Sequence, residues 1–241
     1  MNVCILIPTL GEAKEFISAS QMRQNGAASF AHESRGVRVA LHICGMGVDN
    51  ARRQTEIVLD QGTDCLILAG YCGGLQKNLR LGDVVIDTQD PDPDFTGAVM
   101  RIAGARKLVV HQSAIFTSPR LLATPAEKMR AGVQTGALAV DMEGSGVLEC
   151  CRARKLPFRS FRTVSVNVTQ RLPGALKHIT LDGKAPLRFW CALACRFWEW
   201  PDVCRMLLTG KLATKNLATV LVDWVNELME NETPRQVQAG P

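Results

Sequence analysis

With 241 residues, 46% of them hydrophobic, the chain is long enough to bury one large core and too apolar for a disordered body. Its net charge of +5 comes from Lys and Arg spread along the sequence rather than gathered in a run, so no nucleic-acid partner is demanded. The nine cysteines are odd in number, lie in apolar runs and show no C-x-x-C spacing, which argues against a disulfide framework or a zinc site and for buried thiols in a reducing compartment. The apolar run at the start stops at Pro8 and has no basic flank, too short for a signal peptide, so a cytoplasmic location is expected.

In chain order, the pattern predicts a strand over Val3 to Ile7, a helix over Gly11 to Gln21, and a strand over Val37 to Cys44 that ends in Gly45-Met46-Gly47. Residues Asp49 to Gln61 bring Ala51, Thr55, Val58 and Leu59 near one helical face. Asp64 to Ala69 is a nearly continuous apolar run of the kind buried on both sides, broken at Gly70. The segment Asp90 to Asp94 reads as a turn-rich loop. Further strands are predicted at Asp83 to Asp87, Ala114 to Thr117, Leu138 to Met142 and Phe161 to Val166, with helices at Pro125 to Ala131 and Ser145 to Lys155. Leu217, Leu221, Trp224 and Leu228 mark a last helix packed on the core, and Glu230 to Pro241 a frayed tail. Strands alternating with helices give an α/β class: three layers, α/β/α, around a central mixed twisted sheet. The whole chain reads as a single domain, with 172–241 a helical, Trp-rich C-terminal extension.

The chemistry is expected at the carboxyl ends of the strands, where an open α/β sheet leaves a crevice. There Val140-Asp141-Met142-Glu143 leads into Gly144-Ser145-Gly146 and puts acidic groups where an apolar strand ends. Gly70-Tyr71-Cys72-Gly73-Gly74-Leu75 reads as a glycine turn whose backbone N–H groups approach a ligand closely, and Leu81-Gly82-Asp83-Val84-Val85 follows it. Read together, these motifs resemble the nucleoside phosphorylase and nucleosidase superfamily, of the purine nucleoside phosphorylase and methylthioadenosine/S-adenosylhomocysteine nucleosidase type. The resemblance covers roughly residues 1 to 170 and implies a phosphorylase-like fold and cleavage of the bond between a ribose and its base.

By that resemblance Glu143 holds the ribose 2′- and 3′-hydroxyls and Met142 packs against the sugar or base. An ionised carboxylate accepts both O–H donors of a cis-diol in charge-assisted bonds, so the chemistry agrees. Asp141 better suits the backbone donors of the next helix start, and helix capping is the bland alternative for both acids. Glu12 stands where nucleosidases of the family place the glutamate that deprotonates the attacking water; a first-turn surface acid is the alternative. Gly70, Tyr71, Cys72 and Gly73 shape the base site, and Gly45, Met46 and Gly47 close over the ribose. Phosphorylases show basic residues in the loop after the first strand and an arginine before the glycine motif. Cys65 to Gly70 has none, which favours hydrolysis, although Arg35 or Arg38 leaves an anion clamp open. Asp83 reads as a turn residue, Thr117 or Ser118 as lining the base pocket, and His32, His42, His111 and His178 show no metal spacing.

One departure matters. Where the family has Ser-Asp, the aspartate protonating the purine, this chain reads Arg162-Thr163-Val164-Ser165-Val166-Asn167, with Val166 at the acid's position. Such acid help is worth on the order of 10² to 10⁴ in rate. Asn167 offers an amide to the base but not a proton. From Leu172 on, the chain resembles the extended C-termini of a hopanoid-associated branch acting on a lipid-linked ribose. Its 187–208 stretch holds three of the four tryptophans, with Arg188, Arg196 and Arg205, and suits either peripheral membrane contact or packing on a second subunit. The expectation is hydrolysis of a purine-type nucleoside, with or without a hydrophobic 5′ substituent, by a homo-oligomer without cofactor or metal. The alternatives are a phosphate-dependent phosphorylase and a catalytically weakened nucleoside- or lipid-binding homologue.

Overall fold

The computed structural model describes residues 1–34, 36–178, 180 and 186–231. Apolar runs without polar alternation form the central strands: β1 (Asn2–Ile7) and the first half of β5 (Cys65–Gly74) are buried almost throughout, as strands covered on both faces must be. The ten-stranded sheet runs in the order β2 (Arg23–Gly26), β3 (Ser29–Ser34), β4 (Val37–Ile43), β1, β5, β10 (Arg159–Val166), β6 (Val84–Asp87), β7 (Val110–Ser113). Two short strands, β8 (Ile115–Thr117) and β9 (Ala139–Asp141), join it at the distal part of β5. β4, β1, β5 and β10 are parallel, whereas β3 runs against β2 and β4, and β6 runs against β10 but parallel to β7, so the sheet is mixed as expected.

The two-residue period of β1 divides the core. Val3, Ile5 and Ile7 face α1 (Leu10–Ala19), α3 (Pro93–Ala105) and α7 (Trp200–Asn231), while Cys4 and Leu6 face α2 (Val48–Asp60) and α5 (Gly144–Arg154). The first helical layer is anchored by Phe95, whose ring meets Trp224 edge-on at 6.0 Å. The second half of α7, with Leu217, Leu221 and Trp224, is thus part of the main core, and Leu228 packs against it. α4 (Pro125–Thr135) opens on a reciprocal capping box between Thr124 and Glu127 and closes on Gly136 at φ +70°.

Several elements depart from the sequence expectations. Gly70 does not break β5, which runs on to Gly74 because β10 pairs along one edge of this stretch and β9 takes up the other at Gly73 and Gly74. The supposed glycine turn is therefore extended strand. The hairpin β2–β3 was not expected, since Arg23 to Gly26 is wholly exposed at the sheet edge and carries no apolar alternation. β7 was not expected either. The loop predicted at Asp90 to Asp94 ends at Asp92, two residues early, because α3 starts at Pro93: Asp92 caps it by accepting from Asp94 N and Phe95 N.

In the Trp-rich segment, α6 (Leu187–Cys195) buries Phe189 but leaves Trp190, Trp198 and Trp200 more than half exposed. Leu208 and Leu212 continue this exposed apolar surface along α7. Arg196 and Arg205 pair with Glu199 and Asp202. No helix among the described residues is long and apolar enough to cross a membrane. Arg35, the side chain of Arg188 and the tail beyond Asn231 lie outside the described residues.

Candidate active site

Glu12 is placed by the turn from β1 into α1. Thr9 caps the helix, accepting weakly from Glu12 N at 3.4 Å, and its hydroxyl donates to Glu12 Oε1 at 2.7 Å. The other oxygen, Oε2, accepts from the backbone N–H of Tyr71 at 2.8 Å. Here the glycine at 70 is obligatory, because a Cβ would stand 2.7 Å from Glu12 Oε2 and 2.9 Å from Pro8 Cδ. The Gly70-Tyr71 segment thus approaches a carboxylate of the protein itself.

Glu143 follows β9 at the threshold of α5 and makes no capping bond to that helix. Its Oε1 accepts from Gly47 N at 2.9 Å and its Oε2 from Met142 N at 3.3 Å. Gly45 and Gly47 hold φ of +81° and +94°, which lets the chain between β4 and α2 turn its N–H onto this carboxylate. Asp141 does the work at the helix start: it accepts from Gly144 N at 2.9 Å, from the Thr117 hydroxyl at 2.9 Å and from Arg162 Nη2 at 2.7 Å.

Arg162 is the residue that sequence reasoning missed. It lies in the middle of β10, fully buried, and its Nε and Nη1 have no partner. The charges closest to it in effect are those of Asp141, Glu143 and Glu12, so it joins the two glutamates in one cluster. An arginine at the centre of Phe161-Arg162-Thr163-Val164, a run otherwise suited to burial, was the available signal.

One guanidinium cannot neutralise three buried carboxylates. Burial accordingly pushes Glu143 well above the ordinary glutamate range, Asp141 and Glu12 add to the shift, and Arg162 and the Gly47 N–H oppose it. Glu12 is also raised by burial, against the pull of Thr9, Tyr71 and Arg162. Both glutamates bind protons more tightly folded than unfolded, so their contribution to stability is complete below the ordinary value of 4.5 and is lost as pH climbs through the raised values. Thermal unfolding of the ligand-free protein should show stability falling between about pH 5 and about pH 8, and Glu143→Gln should flatten that fall. An unchanged slope in the variant would place the proton elsewhere.

The remaining candidates are placed less uniformly. Met142, Gly45, Met46 and Gly47 lie half-buried around Glu143. Tyr71 contributes its backbone to Glu12, but its phenol turns to α7 and bonds the Thr214 hydroxyl and Gly210 O. Cys72 is buried in an apolar cluster with Leu79, Val85 and Val164, and Gly73 pairs with Val140 and Val166. Val166 ends β10 just after a bulge and is buried, so the position carries no proton donor. The Asn167 side-chain oxygen accepts from Thr169 Oγ1 and Gln170 N, which leaves only its amide nitrogen for a ligand. The hydroxyls of Thr117 and Ser118 are spent on Asp141 and on Arg120 O. Arg38 is exposed near the amino end of β4, far along the strand from the loop that reaches Glu143, and does not clamp an anion there. Among the described residues, no group of three or more His, Cys, Asp or Glu side chains is placed to hold a metal ion.

Comparison with known proteins agrees with this architecture. The family model described as the phosphorylase superfamily matches residues 2–90 and 87–182. A 5′-methylthioadenosine/S-adenosylhomocysteine nucleosidase of Pseudoalteromonas translucida is 28% identical over 198 residues, covering 68% of this chain and 84% of the relative. Among solved structures, the nucleosidase of the same name from Neisseria meningitidis, in complex with methylthio-immucillin-A, superposes with a TM-score of 0.71 at 20% identity, covering 94% of this chain and 99% of that one. The futalosine hydrolase of Helicobacter pylori gives a TM-score of 0.71 at 14% identity, covering 94% and 98% of the two chains. The family match takes in every strand of the sheet and both glutamates of the cluster, and the chain belongs to the phosphorylase superfamily.

Proposed function

We propose that the protein is an enzyme that hydrolyses the N-glycosidic bond of a purine-type nucleoside. The observation that carries this reading is the cluster itself: two glutamates from distant parts of the chain converge on one buried arginine that cannot neutralise them. A developing oxocarbenium ion is cationic, and buried carboxyl groups short of countercharge are favoured in their ionised form as it appears, which stabilises it. Phosphate as nucleophile would bring further negative charge to the same place, so water is the better partner. The nucleosidases among the relatives support this choice.

Glu12, held by Thr9 and Tyr71, accepts the proton of the attacking water, and Arg162 offers its unpartnered N–H groups beside it. Glu143 releases the Gly47 N–H and accepts the ribose hydroxyls instead. Methylthioadenosine-type nucleosides are the first substrates to try, together with analogues carrying longer apolar 5′ groups. The exposed Trp190, Trp198 and Trp200 suit a protein that meets such substrates at a membrane surface, or a second subunit in a homo-oligomer. Val166 favours a second reading, a homologue that binds nucleosides and no longer cleaves them, because nothing at the end of β10 protonates the leaving base.

The test is base release from a nucleoside panel with and without phosphate. Hydrolysis predicts release independent of phosphate and lost, by at least about a hundredfold, in Glu143→Gln. Calorimetric binding without release would select the second reading, and ribose 1-phosphate as product would select phosphorolysis.

A further inference from the structure

The loop that leaves β10 after Val166 is unusually well fixed. Asn167 Oδ1 accepts from Thr169 Oγ1 at 3.0 Å and from Gln170 N at 2.9 Å, closing the backbone into a tight turn. Lys128, on α4 and almost wholly buried, spans the turn by donating to Asn167 O at 3.0 Å and to Gln170 O at 2.7 Å. Burial lowers this lysine to about 8, and both of its bonds across the turn go to backbone carbonyls. Leu172 N, bonded to Ala123 O at 2.9 Å, ties the far side of the loop to the segment before α4.

Within this rigid frame one side chain is left unsatisfied. Gln170 is only 5% exposed, yet neither its amide nitrogen nor its amide oxygen has a partner. A buried primary amide with both ends unpaired carries a substantial desolvation cost and marks a place where a partner is missing. Its position suggests which partner. Glu12 Oε2 lies against Gly70 and Asn167 Cα lies against Gly74 on the same extended strand. Four residues of strand span about 13 Å, comparable with a nucleoside laid from its sugar to the far edge of its base. A nucleoside with its sugar at Glu12 and Glu143, laid along β5, would bring its base to the loop that carries Gln170.

We propose that Gln170 reads the base, its amide donating to a ring nitrogen and accepting from the neighbouring exocyclic amino group of an adenine-type ring. This rests on the nucleoside reading of the site. A glutamine amide matches an adjacent acceptor and donor in two parallel hydrogen bonds, the pairing it makes with adenine in nucleic-acid recognition. At the same edge unsubstituted purine presents a ring nitrogen beside a carbon-bound hydrogen and leaves the amide oxygen unpaired.

Free adenine and free purine, titrated calorimetrically against the full chain, test the assignment independently of catalysis. The natural protein should bind adenine more tightly than purine by about tenfold or more. Gln170→Leu should lose most of that preference through weaker adenine binding, and Gln170→Met should do the same. Because the amide has no partner in the free protein, neither variant should lower its Tm, which separates a ligand-reading role from a structural one. Equal binding of adenine and purine by the natural protein, no adenine binding at all, or unchanged adenine affinity in both variants would each overturn the inference. If base release from nucleosides persists while the variants keep their adenine affinity, Gln170 is misassigned and hydrolysis stands. If adenine binding depends on Gln170 while no nucleoside is cleaved, the base reader stands and hydrolysis fails.

Discussion

Glu12→Gln should lower kcat for base release by roughly 10² to 10⁴, with a much smaller change in KM, because the substitution removes a proton acceptor and little else. Glutamine has the same shape, and its amide oxygen still accepts from Tyr71 N, so the turn between β1 and α1 should survive. The ribose grip assigned to Glu143 is untouched. The loss should vanish for any step that needs only binding. A Glu12→Gln enzyme with the natural kcat would show that the attacking water is activated elsewhere. Circular dichroism and Tm, measured alongside, confirm that the comparison is between folded proteins.

Arg162→Leu should destabilise the protein by about 3 to 5 kcal/mol, since removing one partner of a buried ion pair leaves the other uncompensated. For a domain of this size that corresponds to a fall in Tm of roughly 6 to 20 °C. Asp141 retains the Thr117 hydroxyl and Gly144 N–H, but Glu12 and Glu143 lose the guanidinium that opposes their upward shift. Adding Asp141→Asn should recover part of the loss, because deleting both charges of a buried pair is far less costly than deleting one. Differential scanning calorimetry of the single and double variants is the measurement. An Arg162→Leu protein as stable as its parent would mean that the cluster holds no buried charge, and the electrostatic argument for hydrolysis would go with it.

What the sequence disclosed and what it concealed have physical causes. β1 and the first half of β5 were legible because strands buried on both faces are written as short apolar runs, and α2 because Ala51, Thr55 and Val58 recur on one face. β2 was illegible for the opposite reason, having no buried residue to impose a pattern. α3 did carry its pattern, in Phe95, Val99, Ile102 and Ala103, but the Asp-Pro repeats before it read as a turn when Asp92 and Pro93 were in fact its cap and first residue. Gly70 misled in another way: glycine signals freedom in a turn and close approach in a strand alike, and only the pairing of β10 and β9 along β5 distinguishes the two. Glu12 and Glu143 were visible through resemblance. Arg162 and Gln170 were not, because their importance lies in what surrounds them, a surplus of negative charge in one case and a missing partner in the other.

The bond from Gly47 to Glu143 has a consequence for how the protein would meet its ligand. The main chain currently offers that carboxylate the same kind of donor a sugar would bring, so an incoming nucleoside competes with the polypeptide for one acceptor. Its observed affinity is then the intrinsic affinity discounted by the share of molecules in which the strap has let go. Substitutions that loosen Gly45 to Gly47 would be felt as tighter capture, although they touch no part of the reacting bond.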